Sequence, residues 1–473
     1  METPIYDFAE NYAKSNLSRL HMPGHKGHGP LGVEALDITE IMGADSLYEA
    51  DGIIEESERN ATAIFGTGRT FYSTEGSTHG IRAMLFLALT HWKRKYWKQV
   101  REGVRPAVVA ARNAHKAFLT AAVLLDLDIV WLWGEGARKG TLCACPVSEK
   151  ELSDALGALA YPPVAVYVTS PDYLGGMLDL SALAAVAHAH GTWFLVDNAH
   201  GAYLHFLPKP LHPMDLGADI CCDSAHKTLP VLTGGAYLHI AQNMFQEMGG
   251  EAEKNVRQAL ALFGSTSPSY LILESLDLAN RYLAEDYKER LTAFINSLEQ
   301  VKNKMRSFGW KLEETEPLKL TVAAKRGCSG NMLSWLFRAW GVECEYADKD
   351  FLVLMVTPEN TQEDFKRILC CIEGITQSPT LREPEKYLEK EPSMPVYLPP
   401  RRVCSVREAV FAPHETIPVQ KAAGRVMGPV AVHCPPAIPV VVSGEEIRED
   451  IIPVLEYYRI QQVEVMCTDA APV

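Results

Sequence analysis

The chain has 473 residues, 47% hydrophobic and 22% charged, with a formal net charge of -14. That length exceeds one typical core, so two or three domains are expected, and the apolar content is ample for a soluble globular fold. The acidic balance argues against nucleic-acid binding driven by phosphate neutralisation and suits a cationic small-molecule partner. Met1-Glu2-Thr3-Pro4-Ile5 lacks a basic region followed by an apolar core, so no secretory signal is expected. The apolar runs Ala121 to Leu125 and Ile129 to Trp133 are too short to span a bilayer, and a cytoplasmic protein without membrane contact is expected. The 11 cysteines, among them Cys143/Cys145, Cys221/Cys222 and Cys370/Cys371, lack the C-x-x-C spacing of a zinc site, so reduced thiols are expected.

Residues 1–50 read as irregular. Their His21, His25 and His28 invite a metal reading, but Pro23-Gly24 disfavours the helix that would put two of them on one face. A loop near the active site, with no metal, is expected. Arg69 to Ser73 alternates as a strand, then Thr74-Glu75-Gly76-Ser77-Thr78 leads into a helix from His79 to about Gln99. That turn suits an anion, through free N–H groups, the helix dipole and two hydroxyls; it equally suits a plain N-cap. Strands are expected at Ala107 to Ala111, Asp128 to Trp133, Val164 to Val168, Thr192 to Val196 and Gly235 to Ile240, with a helix from Leu180 to His190.

One long amphipathic stretch is expected from Leu271 to Ser307, then strands at Leu318 to Ala323 and Phe351 to Val356 and a helix from Thr361 to Ile375. Gln377 to Arg402 carries Pro379, Pro384, Pro392, Pro395, Pro399 and Pro400 and reads as a linker. The expected division is an N-terminal segment 1–50, a large domain 51–280, a smaller α+β domain 281–376, the linker 377–402 and a C-terminal domain 403–473. Alternating strands and helices imply an α/β fold with a mostly parallel sheet, whose ligands sit beyond the carboxyl ends of the strands.

Three of the polar clusters that follow strands fit one cofactor. Lys227 lies in Ser224-Ala225-His226-Lys227-Thr228, and a partly desolvated lysine can form a Schiff base near neutral pH. Asp197 ends an apolar strand, where a carboxylate can hold a pyridinium proton; a capping aspartate is the simpler alternative. Gly76-Ser77-Thr78 offers a phosphate cradle. Together these suggest pyridoxal phosphate (PLP), with His115 available to stack on its ring and His200 to reach its phenolic oxygen.

Arg19 to Gly27, Asp37-Ile38-Thr39-Glu40-Ile41, Gly76-Ser77-Thr78, Arg112-Asn113-Ala114-His115-Lys116, Val196 to Ala202, Ser224 to Leu229 and Ser265 to Tyr270 resemble the Orn/Lys/Arg decarboxylase family, PLP enzymes of fold type I. Ala422 to Val426, Pro435 to Pro439 and Ser443-Gly444-Glu445 resemble that family's C-terminal domain. The expected form is the short one, without an N-terminal wing domain. The resemblance implies that Lys227 bonds the cofactor, Asp197 pairs with the ring nitrogen and His115 stacks on the ring. It implies that Ser77, Thr78, Ser224 and His226 hold the phosphate and that Glu445 lies near the substrate. A homodimer or larger homo-oligomer is implied, with Ser265 to Ser267 reaching the neighbour's cofactor. Where the family often reads Asn-Gly-Ser-Thr, Asp-Glu-Ala-His-Gly-Ala-His and Leu-Thr-Gln, this chain has Glu75, Asn198, Tyr203 and Gly234. The expected activity is PLP-dependent decarboxylation of arginine, lysine or ornithine, feeding polyamine synthesis. Another amino acid, elimination or transamination, or a non-catalytic regulatory homologue are the alternatives.

Overall fold

The computed structural model describes residues 1–134, 141–324, 328–377, 394–430 and 438–468. Its strands are β1 (Arg69–Ser73), β2 (Ala107–Ala111), β3 (Asp128–Leu132), β4 (Ala165–Thr169), β5 (Trp193–Asp197), β6 (Ile220–Asp223), β7 (Ala236–Ile240), β8 (Lys319–Ala323), β9 (Tyr346–Ala347), β10 (Phe351–Met355), β11 (His414–Pro418) and β12 (Gln462–Met466). The chain forms two compact units interleaved along the sequence: Met1–Gly103 with Tyr161–Val168 and Asp179–Leu291, and Val104–Ala160 with Thr169–Leu178 and Thr292–Val473.

In the first unit the strand order is β1-β7-β6-β5-β4. β5 reads Trp-Phe-Leu-Val-Asp with all five residues buried, the continuous apolar run of a strand covered on both faces. The helix Leu180–Ala189 ahead of it starts on Asp179, whose side chain accepts the Ala182 N–H, and stops before Gly191 at φ +67°. β5 and β6 are parallel, whereas β7 runs antiparallel to both β6 and β1. β1, β5 and β6 therefore share a direction, and their carboxyl ends, Ser73, Asp197 and Asp223, lie at one edge of the sheet.

Three expectations need correction. Residues 1–50 are not wholly irregular, because Pro4–Lys14 is a helix. Its amino end is fastened by the buried Asp277, which accepts the N–H groups of Ile5 and Tyr6 at 2.9 and 3.1 Å, so a distant carboxylate supplies the anion that its terminus favours. The stretch from 271 to 307 is two helices, Tyr270–Ala284 and Tyr287–Ser307. The break falls at Glu285, whose ψ of -126° leaves helical space, and Asp286 opens the next helix by accepting the Arg290 N–H. The helix after β1 also starts earlier than expected, spanning Gly76–Lys95. In the N-terminal segment His21 Nε2 lies 2.6 Å from the Tyr12 hydroxyl and His25 Nε2 3.2 Å from Asp37 Oδ2.

Glu274, on the helix Tyr270–Ala284, is 3% exposed, and its Oε1 has no hydrogen-bond partner among the described residues. Burial, with Asp37 and Asp277 nearby, pushes its carboxyl up to about 8. A carboxyl whose folded pKa is raised binds its proton more tightly when folded, so stability falls as pH rises from the ordinary carboxylate range towards 8. Glu274→Gln is expected to flatten that slope and to gain on the order of 2 kcal/mol near pH 8. Thermal melts from pH 5 to 8.5 check it; parallel curves for the two proteins would contradict it.

The second unit holds the parallel pair β2 and β3, the antiparallel sheet β8-β10-β9, and the antiparallel pair β11 and β12. Tyr346 and Val353 from the three-stranded sheet share one core with Val419, Ile447, Val454 and Val465 near the C-terminus. The fully buried Lys319 on β8 reaches the Asp172 and Tyr173 carbonyls at 3.4 and 3.3 Å, fastening the segment that follows β4. Within the expected linker and the Pro435 to Pro439 motif, residues 378–393 and 431–437 lie outside the described residues. Among the described residues, no helix is long and apolar enough to cross a membrane.

Candidate active site

Lys227 sits on a single helical turn, Ala225–Thr228, directly after β6. The turn forms because Ser224 accepts the Lys227 N–H at 3.0 Å, leaving the side chain half-buried at the sheet edge. Its Nζ lies 3.1 Å from Nε2 of His200, which is 4% exposed on the loop after β5.

Asp197, at the end of β5, is 2% exposed. Its Oδ2 accepts the Tyr167 hydroxyl at 3.0 Å and its Oδ1 the Ala199 N–H at 3.2 Å. Burial raises its pKa, and the charge of Lys227 does most to pull it back down. The carboxylate is thus favoured by a cation beside it in a dry site, the setting in which a buried charge is tolerated.

Gly76 opens the helix Gly76–Lys95 at φ +70°, its N–H donating to the Gly234 carbonyl at 2.7 Å. A Cβ built on Gly76 would meet only His226 Cε1, at 3.9 Å, so the backbone there is uncovered at a helix terminus that favours an anion. Ser77 and Thr78 occupy the first turn, whose N–H groups lack intrahelical acceptors. Ser224 Oγ donates to Ser77 Oγ at 2.8 Å, joining the turn before Lys227 to this helix end. His226 Nδ1 lies 3.0 Å from the Gly235 carbonyl, and burial lowers its pKa, favouring neutral imidazole. An amine, a buried carboxylate and an open helix terminus with hydroxyls around it are the donor set that PLP requires, so these residues fit that group.

Eight of the ten residues singled out from the sequence, all but His115 and Glu445, therefore belong to the first unit. His115, in the second unit, caps the helix Lys116–Leu125, its Nδ1 accepting the Ala117 N–H at 3.2 Å. Glu445, also in the second unit and 3% exposed, accepts Arg112 Nη2 at 3.1 Å and the Val442 N–H at 2.7 Å. Arg112 in turn lies over the Trp131 and Trp133 rings at 4.9 and 5.1 Å.

Sequence reasoning missed Tyr167, whose hydroxyl stands in a mostly apolar strand, and Arg112, which carried no role within its motif. The departures from the family pattern have physical settings. Glu75 Oε1 accepts the Ser265 N–H at 2.5 Å. Gly234 has φ +105°, and a Cβ there would stand 2.6 Å from the Thr74 carbonyl, so no larger residue fits this backbone. Tyr203 is fully buried in the turn Ala202–Phe206.

Two family descriptions match the chain: Orn/Lys/Arg decarboxylase, major domain, over residues 3–366, and Orn/Lys/Arg decarboxylase, C-terminal domain, over residues 392–465. An arginine decarboxylase of Bacillus anthracis is 27% identical over 97% of this chain and 92% of its own length. An arginine decarboxylase of Bacillus subtilis is 28% identical over 95% and 92%. The Francisella novicida lysine decarboxylase LdcF superposes with a TM-score of 0.79 at 15% identity, over 98% of this chain and 81% of that one, a likeness of fold. The architecture is the mostly parallel α/β arrangement of fold type I that the motifs implied. With the major-domain match alone covering most of its length, this chain belongs to the Orn/Lys/Arg decarboxylase family and is an amino-acid decarboxylase by class.

Proposed function

We propose that this protein decarboxylates a basic amino acid, arginine, lysine or ornithine, using PLP bound in the first unit. The observation that carries the reading is Lys227 beside His200 and the buried Asp197 carboxylate, at the same sheet edge as the open helix end at Gly76. When bound, PLP supplies an electron sink for the pair left behind as carbon dioxide departs. Lys227 would hold the cofactor through its free amine, and His200 Nε2, 3.1 Å from Nζ, is within reach to take or return the Lys227 proton. Asp197 holds a proton on the ring nitrogen, its own orientation set by Tyr167 and Ala199. Ser77, Thr78, Ser224 and His226 bind the phosphate around the helix terminus.

His115 enters this reading, as the ring-stacking residue, through the family motif. Glu445 enters as the acidic residue of the tail motif, with Arg112 as its present partner. The relatives named arginine decarboxylase and lysine decarboxylase support a basic substrate. The homodimer or larger homo-oligomer enters this reading through the family resemblance.

The test is carbon dioxide and amine release from each of the twenty amino acids, with PLP added. Release confined to arginine, lysine or ornithine is expected. Spectral change on adding an amino acid without carbon dioxide release would overturn decarboxylation and keep the cofactor site.

A further inference from the structure

Close to the Lys227 turn lies a polar cluster that the proposed chemistry leaves unused. Asp223, the last residue of β6, has no exposure, and neither have His212 and His239. Asp223 Oδ2 accepts His212 Nε2 at 2.9 Å and His239 Nε2 at 3.2 Å, while Oδ1 accepts Asn198 Nδ2 at 2.7 Å. Two imidazoles and a carboxylate this close resemble a set of metal ligands. The tautomers point elsewhere. The Met214 N–H donates to His212 Nδ1 at 3.3 Å, which puts the ring proton on Nε2, directed at Asp223. His239 Nδ1 lies 2.8 Å from Thr70 Oγ1, itself 2.8 Å from Thr67 Oγ1. The network is closed by hydrogen bonds, and an ion would have to break them.

What the network holds is Asn198, the residue after Asp197. The Asn198 N–H donates to the Cys222 carbonyl at 3.0 Å, carrying the β5–β6 pairing one residue past Asp197, and its side chain is held by Asp223. The next residue, Ala199, donates its N–H to Asp197 Oδ1. The peptide that orients the Asp197 carboxylate is thus clamped to the neighbouring strand through Asn198. The family motif carries Glu where Asn198 stands; in this chain the acid of the contact stands on the adjacent strand, at Asp223.

We propose that Asp223 is a positioning residue, locking the end of β5 through Asn198 so that the Asp197 carboxylate keeps one orientation toward the cofactor ring. This rests on the reading of Asp197 and Lys227 as the PLP site. The test is a double-mutant cycle of Asn198→Ala and Asp223→Asn, read as PLP affinity and as the pH midpoint of the bound cofactor's visible absorbance. Each single change is expected to weaken PLP about tenfold and to move the midpoint, the usual cost of losing a partner that orients a ligand-holding residue. The double variant should lose no more than Asp223→Asn alone, because both act through one contact. The midpoint carries the distinction, since a merely structural role would lower the apo melting temperature and leave the bound cofactor's midpoint unmoved.

The proposal is overturned if Asn198→Ala binds PLP within about twofold with an unmoved midpoint, or if the two losses multiply. Should Asp223→Asn fail to fold, Asn198→Ala decides alone. Absence of any visible band in the unsubstituted protein would sink the PLP reading and this inference with it; a normal band there and in Asn198→Ala would sink this inference only.

Discussion

Lys227→Ala protein is expected to show no protein-bound absorbance band once unbound PLP is removed and to lose decarboxylation by about 10⁴-fold or more, since removing a covalent participant eliminates a route rather than weakening it. The change should leave the fold intact. Lys227 is half-buried on a one-turn helix, and the turn is closed by the backbone bond from Lys227 N–H to Ser224, which alanine keeps. The amine matters because its charge lowers the pKa of the Asp197 carboxyl, and because a histidine 3.1 Å away can take its proton and leave the free amine. A small primary amine added to the variant should restore part of the activity. Retention of the absorbance band would place the attachment point elsewhere.

Asp197→Asn is expected to keep PLP bound and to lower kcat by about 10³-fold, while KM changes little. The amide preserves size: its one oxygen can keep the Ala199 N–H while its NH2 donates to the Tyr167 hydroxyl, which can turn to accept, so positioning survives and the charge is lost. A neutral partner cannot hold the ring nitrogen's proton, and the electron sink weakens. The pH dependence follows from the direction of the Asp197 shift. Burial raises its pKa, so the carboxyl keeps its proton to a higher pH than an ordinary aspartate, and activity that needs the carboxylate is lost as pH falls through that raised value. The acid limb of kcat/KM should therefore lie above the ordinary carboxylate range in the unsubstituted protein and vanish in the variant. An identical acid limb in both would assign that limb to another group.

The strands of the first unit were legible because each is a short apolar run bounded by turn residues: β1 matches the expected bounds, and β5 and β7 fall within one residue of them. Burial on both faces leaves little choice of residue type along such strands, so composition reports them well. The helix Pro4–Lys14 was not legible, because its fastening is Asp277, far along the chain. The break at Glu285 was missed because the amphipathic pattern continues across it.

At the site, Gly76 to Thr78, Asp197, His200 and Ser224 to Lys227 could be recognised locally, each as a polar cluster closing an apolar strand. Their convergence depends on the direction of β7, which places the ends of β1, β5 and β6 at one edge through pairings between residues such as Ser73 and Ala236. Tyr167 against Asp197, Arg112 against Glu445, and His212 and His239 around Asp223 had no local signal at all. Which residues close strands and carry reactive groups is written in residue type and spacing. Which buried polar atoms satisfy one another is set by strand register and packing, because a hydrogen bond needs its partner within about 3 Å whatever their separation along the chain.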